Sequence, residues 1–235
     1  MRQYVIAVDI AKKEDRTVIG IGRKSMQERP DGMMVSYLDL MDMDMVSRMS
    51  YPAQARYIAR LDGDSRLSGD YDLIVDGTGV GEAVFDMLRD EGLNPMKIIF
   101  TAGDRASVIQ AKSPSGFTRR EGWNVPKNTM VDTLALALQQ RRIRILPGVP
   151  FREDIEAQMA SFTGKLTKGR NMTYNNDADS MHDDIVSMLM MMAWHFMQAE
   201  GARADFRLDR STFGSELPRR RGLRLSADYN PLEGI

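Results

Sequence analysis

Four aspartates stand where strands end or a helix begins, and together they have the composition of a metal site. Asp9 and Asp76 each end an apolar, β-branched segment that is typical of a buried strand. Asp183 and Asp184 open the last apolar segment with helical character. Carboxylates that converge repel one another unless a cation lies between them. The pattern therefore predicts a site for hard divalent ions with oxygen ligands, Mg²⁺ or Mn²⁺.

Two divalent ions in such a site would hydrolyse a phosphodiester. Held about 4 Å apart, they activate a water molecule and stabilise the leaving oxygen. Adjacent helix residues diverge by about 100°, so Asp183 and Asp184 cannot both aim at one ion. One would be a direct ligand, while the other binds a second ion, orients water or caps the helix. His182 is a weaker candidate for moving a proton or orienting the substrate.

Each aspartate also has an ordinary structural interpretation. An Asp at a strand end usually serves a turn, and an Asp pair at a helix start commonly caps the helix or complements its dipole. The ordered combination is more informative than any of its members. It consists of two strands that end in Asp, followed later by a helix that opens with Asp-Asp.

A glycine-rich run, Gly77-Thr78-Gly79-Val80-Gly81, follows Asp76 and leaves a second function open. It matches neither the dinucleotide-binding G-x-G-x-x-G pattern nor a Walker loop. The glycines permit a sharp turn from strand to helix. Backbone amides in such turns also bind anions, so an actin-like nucleotide-binding module is an alternative.

Composition excludes several classes of protein. The 235 residues include 32 Lys+Arg, 33 Asp+Glu and no Cys, for a formal net charge of −1. Disulfides, cysteine-based zinc sites and thiol catalysis are therefore excluded. The longest apolar run, 185–197, is shorter than the about 20 residues that a membrane-spanning helix needs, and the N-terminus lacks the layout of a signal peptide. These features predict a cytoplasmic protein without a membrane partner.

Periodicity and turn signals predict an alternation of strands and helices. Strands are expected at 4–10, 16–23, 33–40, 71–76, 96–101 and 142–146. Helices are expected at 51–61, around 83–92, and at 127–141, 151–161 and 180–199. The segment 101–124 has no clear period and is predicted to be a long loop, and 162–175 is predicted to be a hairpin.

The order of these elements predicts an α/β fold with a mixed sheet. Short connectors, one of them with the turn signal Pro30-Asp31-Gly32, imply that the first three strands form an antiparallel meander. Helical crossovers then add parallel strands, and helices flank the sheet. If the fourth strand lies parallel to the first, Asp9 and Asp76 face each other at the carboxyl edge, where open α/β sheets collect their sites.

Several segments resemble the C-terminal nuclease domain of the large terminase subunit of tailed bacteriophages. They are YVIAVDIA with Asp9, LIVDGTGVGEAVFDML with Asp76, VPKNTMVDTLALALQQRRIRI, and the closing HDDIVSMLMMMAW. The resemblance covers about residues 4–199. It implies a ribonuclease H-like fold and a metal-dependent endonuclease that cleaves double-stranded DNA during viral genome packaging.

The resemblance also implies site residues and partners. The family's acidic cluster maps onto Asp9, Asp76 and Asp183, with Asp184 adjacent. Many relatives carry a further Asp where this chain has Ser187. Full-length terminases carry an N-terminal packaging ATPase, so the chain is expected to correspond to the nuclease domain alone. The ATPase domain, the portal and the small terminase subunit are expected partners in the host cytoplasm. A Holliday-junction resolvase, which shares the fold and the acids, is the rival within nucleases.

Two basic regions fit a DNA substrate. Nine Lys or Arg residues stand against three acids between positions 97 and 144, and the predicted hairpin adds Lys165, Lys168 and Arg170. Such a surface would neutralise backbone phosphates without reading base sequence. The nine are Lys97, Arg105, Lys112, Arg119, Arg120, Lys127, Arg141, Arg142 and Arg144.

The C-terminal part is also rich in arginine and suggests a domain division. Seven arginines lie between positions 203 and 224. This segment would bind DNA, dock on a packaging partner or remain a solvated terminus. The expected organisation is a nuclease domain over 1–200 followed by a partly ordered tail over 201–235.

Overall fold

The computed structural model describes residues 2–10, 16–112, 116–168 and 184–207. The strands are β1 Tyr4–Asp9, β2 Arg16–Glu28, β3 Met34–Ser47, β4 Tyr71–Asp76, β5 Met96–Thr101, β6 Ser107–Lys112, β7 Thr118–Pro126 and β8 Ile143–Ile145. The α-helices are α1 Tyr51–Ala59, α2 Gly81–Asp90, α3 Lys127–Gln139, α4 Arg152–Lys168 and α5 Asp184–Arg207. A short 3₁₀ helix, Arg60–Gly63, extends α1.

The eight strands form one mixed sheet in the order β6-β7-β5-β4-β1-β2-β3-β8. Strands β1, β2 and β3 form an antiparallel meander. Strand β4 pairs in parallel with β1, and β5 and β7 continue the parallel part on the same side. The predicted mixed sheet and the parallel pairing of the first and fourth strands are both confirmed.

Successive side chains of a strand point to opposite faces of the sheet, so the hydrophobic core forms one layer on each face. Val5 and Ala7 of β1 and Ile74 of β4 face one layer, which also contains buried residues of α3, α4 and α5. Ile6 and Val8 face the other layer, which is built with α1 and α2. Because Asp9 and Asp76 continue the odd positions of β1 and the even positions of β4, both lie on the α5 face.

Two glycines allow α5 to approach the sheet closely. A Cβ at Gly20 would overlap the side chain of Met188, and one at Gly22 would lie 3.4 Å from Cε of Met192. In β2 these glycines pair with Ala7 and Val5 of β1. Small residues on the strands therefore make room for the methionines of the helix, which fill irregular gaps in the core.

Three predicted elements need correction. The segment 101–124 is not a long loop, because it contains β6 and β7, which pair with each other and join the sheet beside β5. The hairpin predicted at 162–175 is wrong over 162–168, where α4 continues, and the rest lies outside the described residues. Helix α5 runs on to Arg207, past the expected start of the tail.

Within the described part of the chain, no helix combines the length and the apolar character that crossing a membrane requires. The division between residues 200 and 201 stays a prediction.

Candidate metal centre

Asp9 and Asp76 lie side by side at the carboxyl edge of the sheet. The parallel register pairs Val8 of β1 with Val75 of β4, and each aspartate is the next residue of its strand. Neighbouring strands are about 4.8 Å apart, so the two Cα atoms are separated by roughly that distance. Since both side chains point to the α5 face, the two carboxylates share one surface.

The first residue of α5, Asp184, is level with this edge. Met188 lies over Gly20, which pairs with Ala7. Asp184 precedes Met188 by four residues, so it shares the helix face that meets the sheet and lies about 6 Å further along the axis. Two strand residues also span about 6–7 Å. Asp184 is therefore level with Asp9.

The start of α5 is tied to its neighbour α4. The backbone N–H of Ile185 donates a hydrogen bond to Oε1 of Gln158, at 3.1 Å. Backbone N–H groups at a helix N-terminus need such partners, and the positive end of the helix dipole favours nearby carboxylates. Gln158 thus positions the end of α5 that carries Asp184. This role could not be predicted from a local pattern, because Gln158 and Ile185 are 27 residues apart.

Asp76 is partly buried and has little compensating charge nearby. Burial raises the pKa of its carboxyl above the ordinary value, while a hydrogen bond from Thr78 and the charge of Lys127 oppose the shift without reversing it. The Thr78 amide nitrogen is 2.8 Å from Oδ1 of Asp76. The charged form of Asp76 is consequently less stable here than in water, and a bound cation would stabilise it.

The glycine-rich turn packs tightly against the backbone of Asp76, and most of its own backbone amides donate hydrogen bonds within the protein. A Cβ at Gly81 would overlap the carbonyl oxygen of Asp76, so only glycine fits there. The Gly77 amide donates to the Ile98 carbonyl at 2.8 Å, and the Gly81 amide donates to the Thr78 carbonyl at 3.3 Å. The Thr78 amide donates to the Asp76 carboxylate, so three of the five backbone amides of residues 77–81 already have hydrogen-bond acceptors within the protein. This disfavours a phosphate-binding loop.

The donor set fits a hard divalent cation. Carboxylate oxygens of Asp9, Asp76 and Asp184 are the ligands that Mg²⁺ and Mn²⁺ prefer. Among residues 2–10, 16–112, 116–168 and 184–207, no three His, Asp or Glu side chains already form a cluster close enough to hold a metal. Asp183 and His182 lie outside these ranges, so their predicted roles stay predictions.

Lys127 lies near Asp76, and this position could not be predicted without knowledge of β7. It opens α3 directly after Pro126, which pairs with Thr101 at the end of β5. Its charge is near enough to lower the pKa of Asp76. With 101–124 taken as a loop, the sequence offered no reason to place this lysine at the carboxyl edge.

Several other members of the predicted basic surface form ion pairs with acids of the same chain. Lys97 is buried and lies 3.6 Å from Glu121 and in contact with Glu82. Arg144 Nε is 2.6 Å from the buried carboxylate of Asp39. Arg142 pairs with Glu200 at 3.6 Å. These three cations are therefore paired with acids of the protein, and the predicted basic region loses them as contacts for DNA.

Comparisons with known proteins give a structural likeness. No protein-family model matches the chain, and no curated protein matches it in sequence. Solved structures do match. The chain resembles large terminase nuclease domains. The predicted α/β class, a mixed sheet flanked by helices, is confirmed by the strand order and the helices themselves.

The matched structures come from two viruses. One is the large terminase nuclease from thermophilic phage G20c, with 17% identity, 80% of each chain covered and a TM-score of 0.45. The same nuclease with bound cobalt matches at 16% identity over 82% of this chain and 80% of that one, with a TM-score of 0.47. The manganese-soaked human cytomegalovirus terminase nuclease domain matches at 9% identity over 82% and 83%, also with a TM-score of 0.47. These likenesses concern the fold, and the activity of this chain is inferred from its own residues.

Proposed function

We propose that this protein is a divalent-metal-dependent endonuclease that cleaves double-stranded DNA during viral genome packaging, as the nuclease domain of a large terminase subunit. The observation that carries the proposal is the placement of Asp9 and Asp76 after paired positions of neighbouring parallel strands, on one face. Carboxylates that share one edge of a sheet repel each other unless a cation lies between them. The fold alone would not require them there.

Each acid has a defined task in this proposal. Asp9, Asp76 and Asp184 or Asp183 would hold two Mg²⁺ or Mn²⁺ ions at this edge of the sheet, with Asp9 as the central ligand. When bound, the ions supply activation of water and charge stabilisation of the phosphate. The Thr78 amide holds Oδ1 of Asp76, which leaves the rest of this carboxylate to face the metal. Lys127, whose charge acts on Asp76, offsets part of the negative charge of the acids and would contact a DNA phosphate in this proposal.

The proposed partners follow from this activity. Double-stranded DNA is the substrate, bound mainly through its backbone. The packaging ATPase domain of the same full-length protein would deliver the DNA, with the portal and small terminase subunit as further partners in the host cytoplasm. The Arg-rich segment 203–224 is a candidate surface for DNA or for one of these proteins.

A plasmid-nicking assay in Mn²⁺ or Mg²⁺ tests the proposal. Wild type should convert supercoiled plasmid to nicked and linear forms, and EDTA should stop the reaction. Asp9→Ala should lose activity, whereas Asp86→Ala, which removes an exposed acid on α2, should keep it. Equal activity of Asp9→Ala and wild type would contradict the proposal.

Substrate choice separates this proposal from its nuclease rival. Linear duplex should be cut at least as fast as a four-way junction of the same sequence. A strong preference for the junction would instead indicate a resolvase. Stabilisation by ATP without any cleavage would indicate the nucleotide-binding alternative, which the bonded amides of the Gly77–Gly81 turn disfavour.

A further inference from the structure

The β6–β7 hairpin carries cations that are not balanced by acids in the described part of the chain. Arg120 and Lys112 have no carboxylate within ion-pair distance there. By contrast, the neighbouring Arg119 lies 3.4 Å from Glu121. Paired cations mainly offset internal charge, whereas unpaired, exposed cations are available for an anionic partner.

The two unpaired cations lie on the same face of the sheet as the candidate metal centre. The guanidinium of Arg120 is 5.4 Å from the ring centroid of Trp123. Trp123 in turn contacts Trp194 of α5, with ring centroids 5.2 Å apart, so it marks the α5 face. Lys112 pairs with Thr118, two residues before Arg120, and shares that face. Arg119 points to the opposite face, toward Glu121.

Register places this surface beside the acids. Asp76 pairs with Ile98 of β5, and Ile98 pairs with Trp123 of β7, so Asp76 and Trp123 are level. Strand spacing and rise put the Cα of Arg120 roughly 14 Å from that of Asp76, and the Cα of Lys112 roughly 20 Å away. One turn of duplex DNA spans about 34 Å. The cations therefore lie within one turn of a phosphate held at the acids.

We propose that this hairpin face, defined by Lys112, Thr118, Arg120 and Trp123, binds the phosphate backbone of duplex DNA flanking the cut. The inference rests on the proposed function and adds a substrate surface to it. A cluster of acids repels DNA, so a nearby cationic surface has to hold the duplex at the site. The hairpin supplies that charge on the correct face, and the stacked Trp123 ring restricts the position of the Arg120 side chain.

Salt-dependent DNA binding tests this inference without any cleavage. Fluorescence anisotropy would follow a labelled 24-base-pair duplex in EDTA, between 50 and 200 mM KCl. Each lost phosphate contact reduces the slope of log affinity against log salt by about 0.9. Lys112→Gln/Arg120→Gln should therefore flatten the slope by about 1.8, which corresponds to roughly a 12-fold smaller loss of affinity over this range.

The hairpin provides its own matched control. Arg119→Gln removes the same charge from the opposite face and should leave the slope unchanged. Arg120→Lys keeps the charge and should retain the wild-type slope, and near-ultraviolet circular dichroism of Trp123 checks that the hairpin is folded. A double variant with the wild-type slope, or an Arg119→Gln variant that flattens it equally, would overturn the inference.

The DNA-binding and plasmid-cleavage experiments test the hairpin surface and the nuclease activity independently. Plasmid cleavage by wild type together with an unchanged slope in the double variant would refute the hairpin surface and leave the nuclease standing. A flattened slope together with no cleavage under any metal would refute the nuclease and leave a DNA-binding surface.

Discussion

Two aspartates on the same face of β4, four residues apart, have opposite environments. Asp72 lies 3.0 Å from Nε2 of His195 and 3.4 Å from Nζ of Lys24. Burial raises the pKa of Asp72, but His195 and Lys24 outweigh this effect and lower it overall. At Asp76 burial raises the pKa and the Thr78 hydrogen bonds and Lys127 charge do not compensate. One strand thus carries one acid with sufficient counter-charge and one without.

The difference separates a structural acid from a functional one. Asp72 contacts Lys24 of β2 and His195 of α5 and contributes to the packing of that helix on the sheet. Asp76 is at the end where α5 begins with an acid instead of a base. An uncompensated buried carboxylate costs stability, and active sites are where proteins commonly retain such costs. The contrast therefore supports the assignment of the metal centre to the Asp76 end.

Activity should show the largest contrast between the two positions. Asp76→Asn should reduce plasmid cleavage about a thousandfold, because it removes a carboxylate from the metal and several kcal/mol of transition-state stabilisation. Asp72→Asn should retain cleavage within a few fold once the variant is confirmed to be folded. Initial nicking rates in Mn²⁺ measure both, and similar losses at the two positions would break the distinction.

The turn after Asp76 should be sensitive to a single added methyl group. Gly81→Ala would place a Cβ against the Asp76 carbonyl, so we expect a loss of about 2–3 kcal/mol in the free energy of unfolding. Gly103→Ala is at an exposed position where a Cβ would lie 4.0 Å from Oγ1 of Thr101, and it should change stability by less than about 0.5 kcal/mol. Urea unfolding measures both. A neutral Gly81→Ala would show that the turn is not closely packed.

Stability should change in opposite directions at the two aspartates. In EDTA at pH 7, Asp72→Asn should lower the free energy of unfolding by about 1–2 kcal/mol, because it weakens the hydrogen bonds to Lys24 and His195. Asp76→Asn should raise it by about 0.5–1 kcal/mol, because a neutral amide avoids the cost of the buried charge while still accepting from Thr78. Urea unfolding of the three proteins checks the signs, and a destabilised Asp76→Asn would remove the basis of the contrast.

The pH dependence should be the smallest and most specific effect. The pKa of Asp72 is lowered on folding, so its stabilisation is complete above the unfolded value of about 3.9 and is lost as the pH falls through the folded pKa. The pKa of Asp76 is raised, so its cost is absent below about 3.9 and develops as the pH rises through the folded pKa. Unfolding curves from pH 3 to 8 in EDTA should therefore show the advantage of Asp76→Asn only above about pH 4, and an advantage independent of pH would contradict this.

The central strands could be predicted because their signal is local. Strands β4 and β5 have the predicted bounds, since each is a short apolar run between polar turns. Strand β6 could not be recognised, because most of its residues are exposed and its register with β7 shifts between Ile109 and Gln110. This irregularity removes the alternation that marks a strand.

The acids of the candidate site could be predicted from the sequence, but the ion pairs of the basic residues around it could not. A strand that ends in Asp is visible in the sequence, and the parallel pairing of β1 and β4 follows from helical crossovers. The pairing of Lys97 with Glu82 and Glu121, and of Arg144 with Asp39, joins segments far apart in the chain. The sequence therefore could not separate structural cations from those available to DNA.

A crystal of the protein with duplex DNA and Mn²⁺, with data collected at the manganese absorption edge, tests the central claim most directly. We expect anomalous density about 2.0–2.3 Å from carboxylate oxygens of both Asp9 and Asp76. Manganese bound elsewhere, or none at all with the two carboxylates turned away from each other, would contradict it.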